Sequence, residues 1–343
     1  MAVVSEAYSR VRGKVGLFDA SNSYGRLLAR GKDVIDLLHR MSTNDLKPME
    51  QGAAKAALTF LTNEKGRIVD LLKVIRQLSG ETLLITSAGK EEAVIQWLDK
   101  FTIMEDVRFE RATDQIVQIL LCGPDSTSIL QSYANEDLSG ESRSGVYDLA
   151  FGSSPAVLVK GPSLAGKGWF ILAGIGDAPT VQASLESNVL SHRGAVLSGE
   201  FFDLLRIENG TPIAPNELNE KHNPLETSVA KEAVSFTKGC YIGQEVIARL
   251  DAQQKVQRQL MGLRFPGGVP SIGDRIIDPA LAQSTPLGNE IGDVTSVAES
   301  PKFGAIGLGY VRGKYANPET PLSVKDTTGN TFPVSLVTLP FHD

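Results

Sequence analysis

The segment of the chain best suited to chemistry is residues 238–245, KGCYIGQE. It follows the apolar run AVSF and precedes VIARL, whose apolar spacing is typical of a helix. Cys240 therefore lies between two glycines where the chain turns into a helix, two residues after Lys238. A lysine and a helix N-terminus both favour the thiolate form of a cysteine. Such a thiolate suits a nucleophile, a metal ligand or a redox group.

The same segment also has a structural interpretation, in which a tight loop packs a small cysteine, and the residues alone favour it. The other cysteine, Cys122, lies in the apolar run QILLCG, so we expect a buried and inert thiol. Two cysteines make no disulfide framework. The four histidines lie far apart and show no zinc-ligand spacing, so no metal site is predicted.

Composition restricts the classes of protein that this chain can be. Its 343 residues are too many for one ordinary core, so two or three domains are expected. A net charge of −6 at pH 7 provides no overall basic field for nucleic acid. The longest apolar run is too short for a membrane span, and the N-terminal residues lack a signal sequence. We therefore expect a cytoplasmic protein, or one of an organelle matrix or stroma if this is a mature form.

Residues 24–110 alternate between strand and helix patterns. YGRLLARG predicts a strand, and a helix with Asp33 as its N-cap follows it. ALTFLT, RIVDLLKVI and TLLITS predict three strands before a helix from Glu91 to Phe101. This order of elements is typical of an α+β domain.

The rest of the chain divides into two parts. Between residues 115 and 200, strands are predicted at QIVQILLCG, AVLVKG and GWFILAG, and a helix from Thr180 to His192. The polar stretch from Asn135 to Ser154 is predicted to be a surface loop. From Gln257 to Phe341, short strands between Gly, Pro and Asp turns predict a small β-barrel or sandwich.

Several motifs carry a resemblance to a known family. KGCYIGQE resembles the signature of the YgfZ branch of the folate-binding YgfZ/GcvT family, the relatives of the glycine-cleavage T-protein aminomethyltransferase. RIENGTPIAPNELNEKHNPLE, residues 206–226, is similar to the T-protein pattern Arg-Leu-Glu, Gly-x-Asp and Asn/Thr-Pro-x-Glu. The N-terminal blocks LFDASNSYGRLLARG and LTNEKGRIVD and the C-terminal IGDVTS and SPKFG also match, in order along nearly the whole chain.

The resemblance implies a T-protein-like cloverleaf, which consists of two interleaved α+β domains plus a C-terminal β-barrel. We accordingly predict that residues 1–255 form the folate-binding region of the two interleaved domains. Residues 256–343 are predicted to form the barrel. The limits between the first two domains are left open, because the family interleaves them.

The resemblance also implies a site for tetrahydrofolate or a C1-substituted reduced folate. Glu208 matches the carboxylate that holds the pterin ring in the T-protein; without the resemblance it would be a solvated glutamate at a helix end. A pterin presents N3–H and a 2-amino group side by side, and one carboxylate can accept both hydrogens. Arg249 is a candidate for the carboxylates of the folate tail. The residues that the resemblance assigns to the loop around Cys240 are Lys238, Tyr241, Gln244 and Glu245. Of these, Lys238, Tyr241 and Gln244 are also expected to contact the folate.

One departure from the T-protein concerns its working aspartate. The T-protein reads Gly-Gly-Ile-x-Asp-Asp, and its second Asp handles the proton or amine during one-carbon transfer. Here the block is GRIVDL, residues 66–71, so Asp70 matches the first Asp and Leu71 occupies the working position. Leucine cannot accept a proton. Asp70 is a candidate substitute, although adjacent residues on a strand face opposite sides.

Leu71 together with the complete KGCYIGQE segment points to the YgfZ branch, whose members are implicated in folate-dependent assembly or repair of iron–sulfur clusters. We therefore predict a tetrahydrofolate-binding accessory protein with Cys240 as its functional thiol. Iron–sulfur client proteins or assembly machinery would be its partners. Two alternatives remain open, and with them whether the chain is an enzyme. One is a folate-dependent aminomethyltransferase, C1-transferase or demethylase, and the other is a non-catalytic folate-binding scaffold with a structural Cys240.

Overall fold

The computed structural model describes residues 2–50, 55–77, 79–140, 144–281 and 290–342. The chain divides into two compact units, each made of two stretches of sequence. The first unit comprises Met1–Gly199 and Lys231–Gln244, and the second comprises Glu200–Ala230 and Glu245–Asp343. In the described ranges, no helix combines the length and apolar character that a membrane span requires.

Two sheets and a set of helices build the first unit. Its strands are β1 Gly16–Asp19, β2 Tyr24–Arg30, β3 Lys55–Thr62, β4 Ile68–Arg76, β5 Thr82–Ser87, β6 Arg108–Arg111, β7 Ile116–Cys122, β8 Val146–Phe151, β9 Ser154–Ala165, β10 Lys167–Gly174 and β11 Ala195–Val196. Its helices are α1 Ala2–Gly13, α2 Val34–Met41, α3 Glu91–Asp99, α4 Ser126–Gln131 and α5 Ala178–Ser191.

The six-stranded sheet of this unit has the order β11-β1-β7-β10-β9-β8. The apolar strand β7 pairs antiparallel with β1 on one side and with β10 on the other. Helices α4 and α5 contribute Ile129 and Leu185 to a core that also contains Leu121 and the fully buried Trp169. Burial of these side chains is the main favourable term that holds the two helices on the sheet.

The five-stranded sheet has the order β3-β4-β5-β2-β6. The apolar positions of α2 recur at helical spacing, and Leu37 and Leu38 are fully buried with Leu72 of β4. Helix α3 adds Val94 and Leu98 to the same core. Because β1 belongs to one sheet, β2 to β6 belong to the other and β7 returns to the first, the two α+β folds are interleaved along the sequence.

The second unit contains a closed barrel with the order β12-β15-β14-β13-β16-β17. Each strand contributes an inward apolar residue to one core, for example Leu263, Val294 and Val311. The barrel strands are β12 Arg258–Arg264, β13 Arg275–Ile277, β14 Glu290–Ser300, β15 Gly304–Arg312, β16 Leu322–Lys325 and β17 Thr331–Val337. The remaining helices of the chain are α6 Gly199–Asn209, α7 Ala230–Ala233 and α8 Gln244–Ala252.

This architecture confirms the predicted fold, with two interleaved α+β parts and a C-terminal β-barrel. The predicted surface loop from Asn135 to Ser154 is wrong in part, because Val146–Phe151 forms strand β8 and pairs with β9. Buried Leu149 and Phe151 alternate with exposed residues in this strand, and the polar residues before it hid that pattern. Asp33 does occupy the N-cap of α2, but its carboxylate accepts the backbone N–H of Asp106 rather than one of the helix.

Candidate functional site

The KGCYIGQE segment is attached to the first unit through Lys238, whose side chain is inserted among backbone carbonyls. Lys238 is only 9% exposed. Its ammonium donates to three carbonyl oxygens, those of His39, Ser42 at 2.6 Å and Asn44 at 3.1 Å. Burial lowers the pKa of Lys238 to about 8, and the negative charge of Asp45 opposes this shift.

The other end of the segment packs against the turn between β3 and β4. The hydroxyl of Thr62 donates to the carbonyl oxygen of Ile242 at 2.6 Å. Tyr241 is buried, with its ring centroid 5.0 Å from the ammonium of Lys238. Gly243 has a φ of +81°, and a Cβ there would lie 2.6 Å from the carbonyl oxygen of Asn63. These contacts hold the KGCYIGQE segment on both sides of Cys240.

The close approach at Gly243 leads to a stability prediction. We expect Gly243→Ala to lower the free energy of unfolding by more than about 2 kcal/mol, because it combines a left-handed backbone with a clash against backbone atoms. Gly239→Ala is the matched control, since a Cβ at Gly239 meets nothing within 4 Å. Denaturant unfolding of both variants measures the difference. Equal stabilities for the two variants would contradict this packing of the segment.

The two cysteines lie in opposite environments. Cys240 is exposed, next to the exposed Gly239. Cys122 is fully buried at the end of β7, and burial raises the pKa of its thiol to about 12. The expected burial of Cys122 is therefore confirmed, and Cys240 is accessible to reagents and partners.

The remaining residues assigned to this loop lie around the start of α8. The helix begins at Gln244, so Cys240 precedes it by a full turn rather than lying in its first turn. Gln244 donates from its amide nitrogen to the carbonyl oxygen of Gly239 at 3.4 Å. Glu245 and Arg249 are exposed along the helix. Cys240 was predicted to precede a helix, and it does. However, α8 begins only at Gln244, so Cys240 is not its N-cap.

Asp70, the candidate substitute for the working aspartate, points into the core of the first unit. It is 1% exposed and accepts hydrogen bonds from the hydroxyl of Ser87 at 2.5 Å and from its backbone N–H at 3.1 Å. Burial raises the pKa of Asp70 to about 6, and the hydrogen bonds from Ser87 oppose this shift. Leu71 is half-buried, in the alternating pattern of β4.

The raised pKa of Asp70 makes stability depend on pH in a defined direction. The folded protein binds this proton more tightly than the unfolded chain, so between about pH 4 and 6 the contribution of Asp70 to stability falls as the pH rises. We expect Asp70→Asn to remove this dependence, which amounts to about 3 kcal/mol at most. Denaturant unfolding at several pH values measures it against Asp99→Asn, an exposed control on α3. Parallel pH profiles for wild type and Asp70→Asn would contradict the raised pKa.

Glu208 lies in the second unit, in the last turn of α6. It is 1% exposed, and its Oε1 accepts a hydrogen bond from the hydroxyl of Ser300 at 2.6 Å. Its backbone carbonyl accepts the N–H of Phe341 at 2.8 Å. A carboxylate in this position is held in one orientation by the barrel and is removed from bulk water, unlike the solvated glutamate that the residues alone predicted.

A second buried carboxylate of this unit was not singled out from the sequence. Glu217 is fully buried and accepts from the hydroxyls of Thr295 and Ser296, each at 2.6 Å. It also accepts from the guanidinium of Arg206 at 3.4 Å and from the backbone N–H of Ile213 at 3.1 Å. The sequence did contain a signal for Glu217, because this residue belongs to the family-like run RIENGTPIAPNE.

The predicted site residues therefore belong to two units. Lys238, Cys240, Tyr241 and Gln244 are brought together in one loop of the first unit, which also contains Asp70. Glu208 and Arg249 belong to the second unit. The assignment of these residues to cofactor and chemistry stays a prediction.

An interleaved pair of α+β folds followed by a closed barrel defines the class of glycine-cleavage T-protein-like proteins. The fold is similar to the crystal structure of the glycine cleavage system aminomethyltransferase T from Bartonella henselae, with a TM-score of 0.81 and 21% sequence identity. That match covers 99% of this chain and 89% of the other. At this identity the likeness establishes the fold.

The sequence identifies the family. Residues 1–238 match the family model described as the GCVT N-terminal domain, and residues 258–343 match the glycine cleavage T-protein C-terminal barrel domain. The chain therefore belongs to the glycine-cleavage T-protein family.

Curated relatives support this assignment over nearly the whole chain. An aminomethyltransferase from Caldanaerobacter subterraneus is 30% identical over 320 residues, which are 92% of this chain and 81% of the relative. An aminomethyltransferase from Thermus thermophilus is 29% identical over 340 residues, or 98% of this chain and 90% of the relative. The predicted membership of the YgfZ branch is finer than these matches and stays a prediction.

Proposed function

We propose that this chain binds tetrahydrofolate or a C1-substituted reduced folate, and that Glu208 holds the pterin. The buried carboxylate of Glu208 is the observation that carries this proposal. Its chemistry fits a ring that presents two adjacent N–H donors, and a bound reduced folate would supply a carrier for one-carbon units.

We further propose that the bound folate serves an accessory role in iron–sulfur cluster assembly or repair, with Cys240 as the functional thiol. The support comes from the residues, namely the complete KGCYIGQE segment, an exposed Cys240 and a leucine at position 71. The cluster or its client protein would be the substrate of this role. None of the relatives described above is named for such a role.

A second candidate is folate-dependent transfer of an aminomethyl or other one-carbon group. The names of the curated relatives favour it, and on the comparisons alone it is the better supported of the two. The residues of the first unit oppose it, because Leu71 cannot accept a proton and the carboxylate of Asp70 is directed at Ser87 inside the core.

An assay of one-carbon transfer separates these candidates. We expect no appreciable formation of 5,10-methylenetetrahydrofolate from an aminomethylated lipoyl carrier, and none after Leu71→Asp alone, because the surrounding contacts also differ. An authentic T-protein aminomethyltransferase is the positive control. Turnover by the wild-type chain would establish the second candidate and remove the accessory role.

Binding itself is tested by calorimetric titration of tetrahydrofolate into the full chain, with Glu208→Ala as the control. Binding that Glu208→Ala weakens supports the proposed site. A dissociation constant of about 1 mM corresponds to a binding free energy of about −4 kcal/mol. If the wild-type chain shows no heat of binding at tetrahydrofolate concentrations near that value, the folate proposal is wrong.

A further inference from the structure

Lys238 has the environment of a residue that holds a loop rather than one that activates a thiol. A lysine ammonium carries three protons and no acceptor. The ammonium of Lys238 donates to the carbonyl oxygens of His39, Ser42 and Asn44. The protons of Lys238 are therefore engaged by backbone oxygens.

The carbonyls of His39 and Ser42 lie at the C-terminal end of α2, and that of Asn44 lies just beyond it. The helix ends at Met41 with Ser42 as its C-cap, and the last carbonyls of a helix have no partners within it. The backbone N–H of Thr43 bonds to Phe60 and so does not continue the helix. A cation at this end also compensates the helix dipole. Lys238 thus satisfies backbone groups of a helix nearly 200 residues earlier in the sequence, as the separation of 199 between Lys238 and His39 shows.

The opposite side of the loop is fixed independently. The carbonyl oxygen of Ile242 accepts the hydroxyl of Thr62, and Gly243 lies against the backbone of Asn63. Between these two anchors only Gly239 and Cys240 are exposed. The position of the exposed thiol is therefore determined by the anchors on either side of it.

We propose that Lys238 is a positioning residue, which holds Cys240 at a fixed place by capping the C-terminus of α2 with its ammonium. This inference deepens the proposed function and rests on Cys240 being the functional thiol. These carbonyl contacts favour positioning over the expected activation of the thiolate, and the expected contact of Lys238 with folate stays a prediction. Asp45 and Lys47, in the segment that follows α2, act on this ammonium with opposite effects on its pKa.

Amide hydrogen exchange of the full chain tests the placement directly. Lys238→Met keeps the length of the side chain and removes the charge and all three donors. We expect exchange in residues 239–243 and at the end of α2 to rise at least about tenfold, with the rest of the first unit unchanged. Lys238→Arg retains charge and donors, and we expect it to restore most of the protection. Lys231→Met, at an exposed lysine of the same segment, is the matched control.

The outcomes separate positioning from general stabilisation and from the proposed function. A rise in exchange throughout the first unit indicates a structural role only, and unchanged exchange in residues 239–243 shows that Lys238 does not hold the loop; either result overturns the inference. If Lys238→Met does not fold, Lys238→Gln removes the charge and places a shorter side chain there, and we expect exchange in residues 239–243 to rise in that variant too. Complementation is measured separately: loss with Lys238→Met and recovery with Lys238→Arg support positioning, whereas full activity of Cys240→Ser overturns the functional thiol itself.

Discussion

Cys240 is expected to react with iodoacetamide at least about 100-fold faster than Cys122 in the folded protein, and Cys240→Ser is expected to abolish function in vivo. The physical reason for the labelling ratio is access. Cys122 is fully buried, and burial raises the pKa of its thiol to about 12, so it reacts only after the sheet opens. Cys240 lies in an exposed loop that needs no opening.

The measurement is alkylation as a function of pH, followed by peptide mapping, alongside complementation of a strain that lacks the corresponding activity. Cys122→Ser is the control for replacing a thiol by a hydroxyl, and we expect it to keep its function if it folds. Faster labelling of Cys122 would contradict the environments of the two thiols. A Cys240→Ser variant that folds, binds folate and fully rescues iron–sulfur enzyme activity would leave Cys240 as only a small residue that the loop needs for packing.

The fold could be predicted from the sequence because its elements carry strong local patterns. The apolar residues of α2 recur at helical spacing, and the barrel strands are separated by clear turn residues. Strand β8 was missed because its short alternation follows a polar stretch. The limits of the two compact units could not be predicted from the sequence, because Lys231–Gln244 joins the first unit through contacts with residues almost 200 positions away.

The candidate site was predictable in its residue types but not in its contacts. KGCYIGQE identified an unusual loop, yet sequence neighbours suggested that Lys238 acts on Cys240. The side chain instead reaches the carbonyls at the end of α2, a long-range contact that no local pattern encodes. Asp70 similarly appeared as a catalytic candidate, and its hydrogen bonds with Ser87 became visible only when the strands were paired.

Glu208→Gln is expected to weaken tetrahydrofolate binding by about 1.5–3 kcal/mol, or roughly 10–150-fold in dissociation constant. The substitution keeps the shape of the side chain and replaces one acceptor oxygen by an NH2 group. That group would face the N–H donors of the pterin, so a charge-assisted pair is lost and two donors oppose each other. Because Glu208 is 1% exposed, bulk water cannot compensate for the lost acceptor as it would at the surface.

Calorimetry on matched variants makes this prediction specific to the carboxylate. Glu200→Gln, at an exposed position near the start of the same helix, should bind as the wild type does. Ser300→Ala removes the hydroxyl that holds Oε1 while leaving the charge, so we expect a smaller loss of about 1 kcal/mol. The order wild type, Ser300→Ala, Glu208→Gln is what a pterin held by an oriented carboxylate requires. Equal affinities for wild type and Glu208→Gln would remove Glu208 from the site, because no arrangement that uses both of its oxygens as acceptors tolerates the amide.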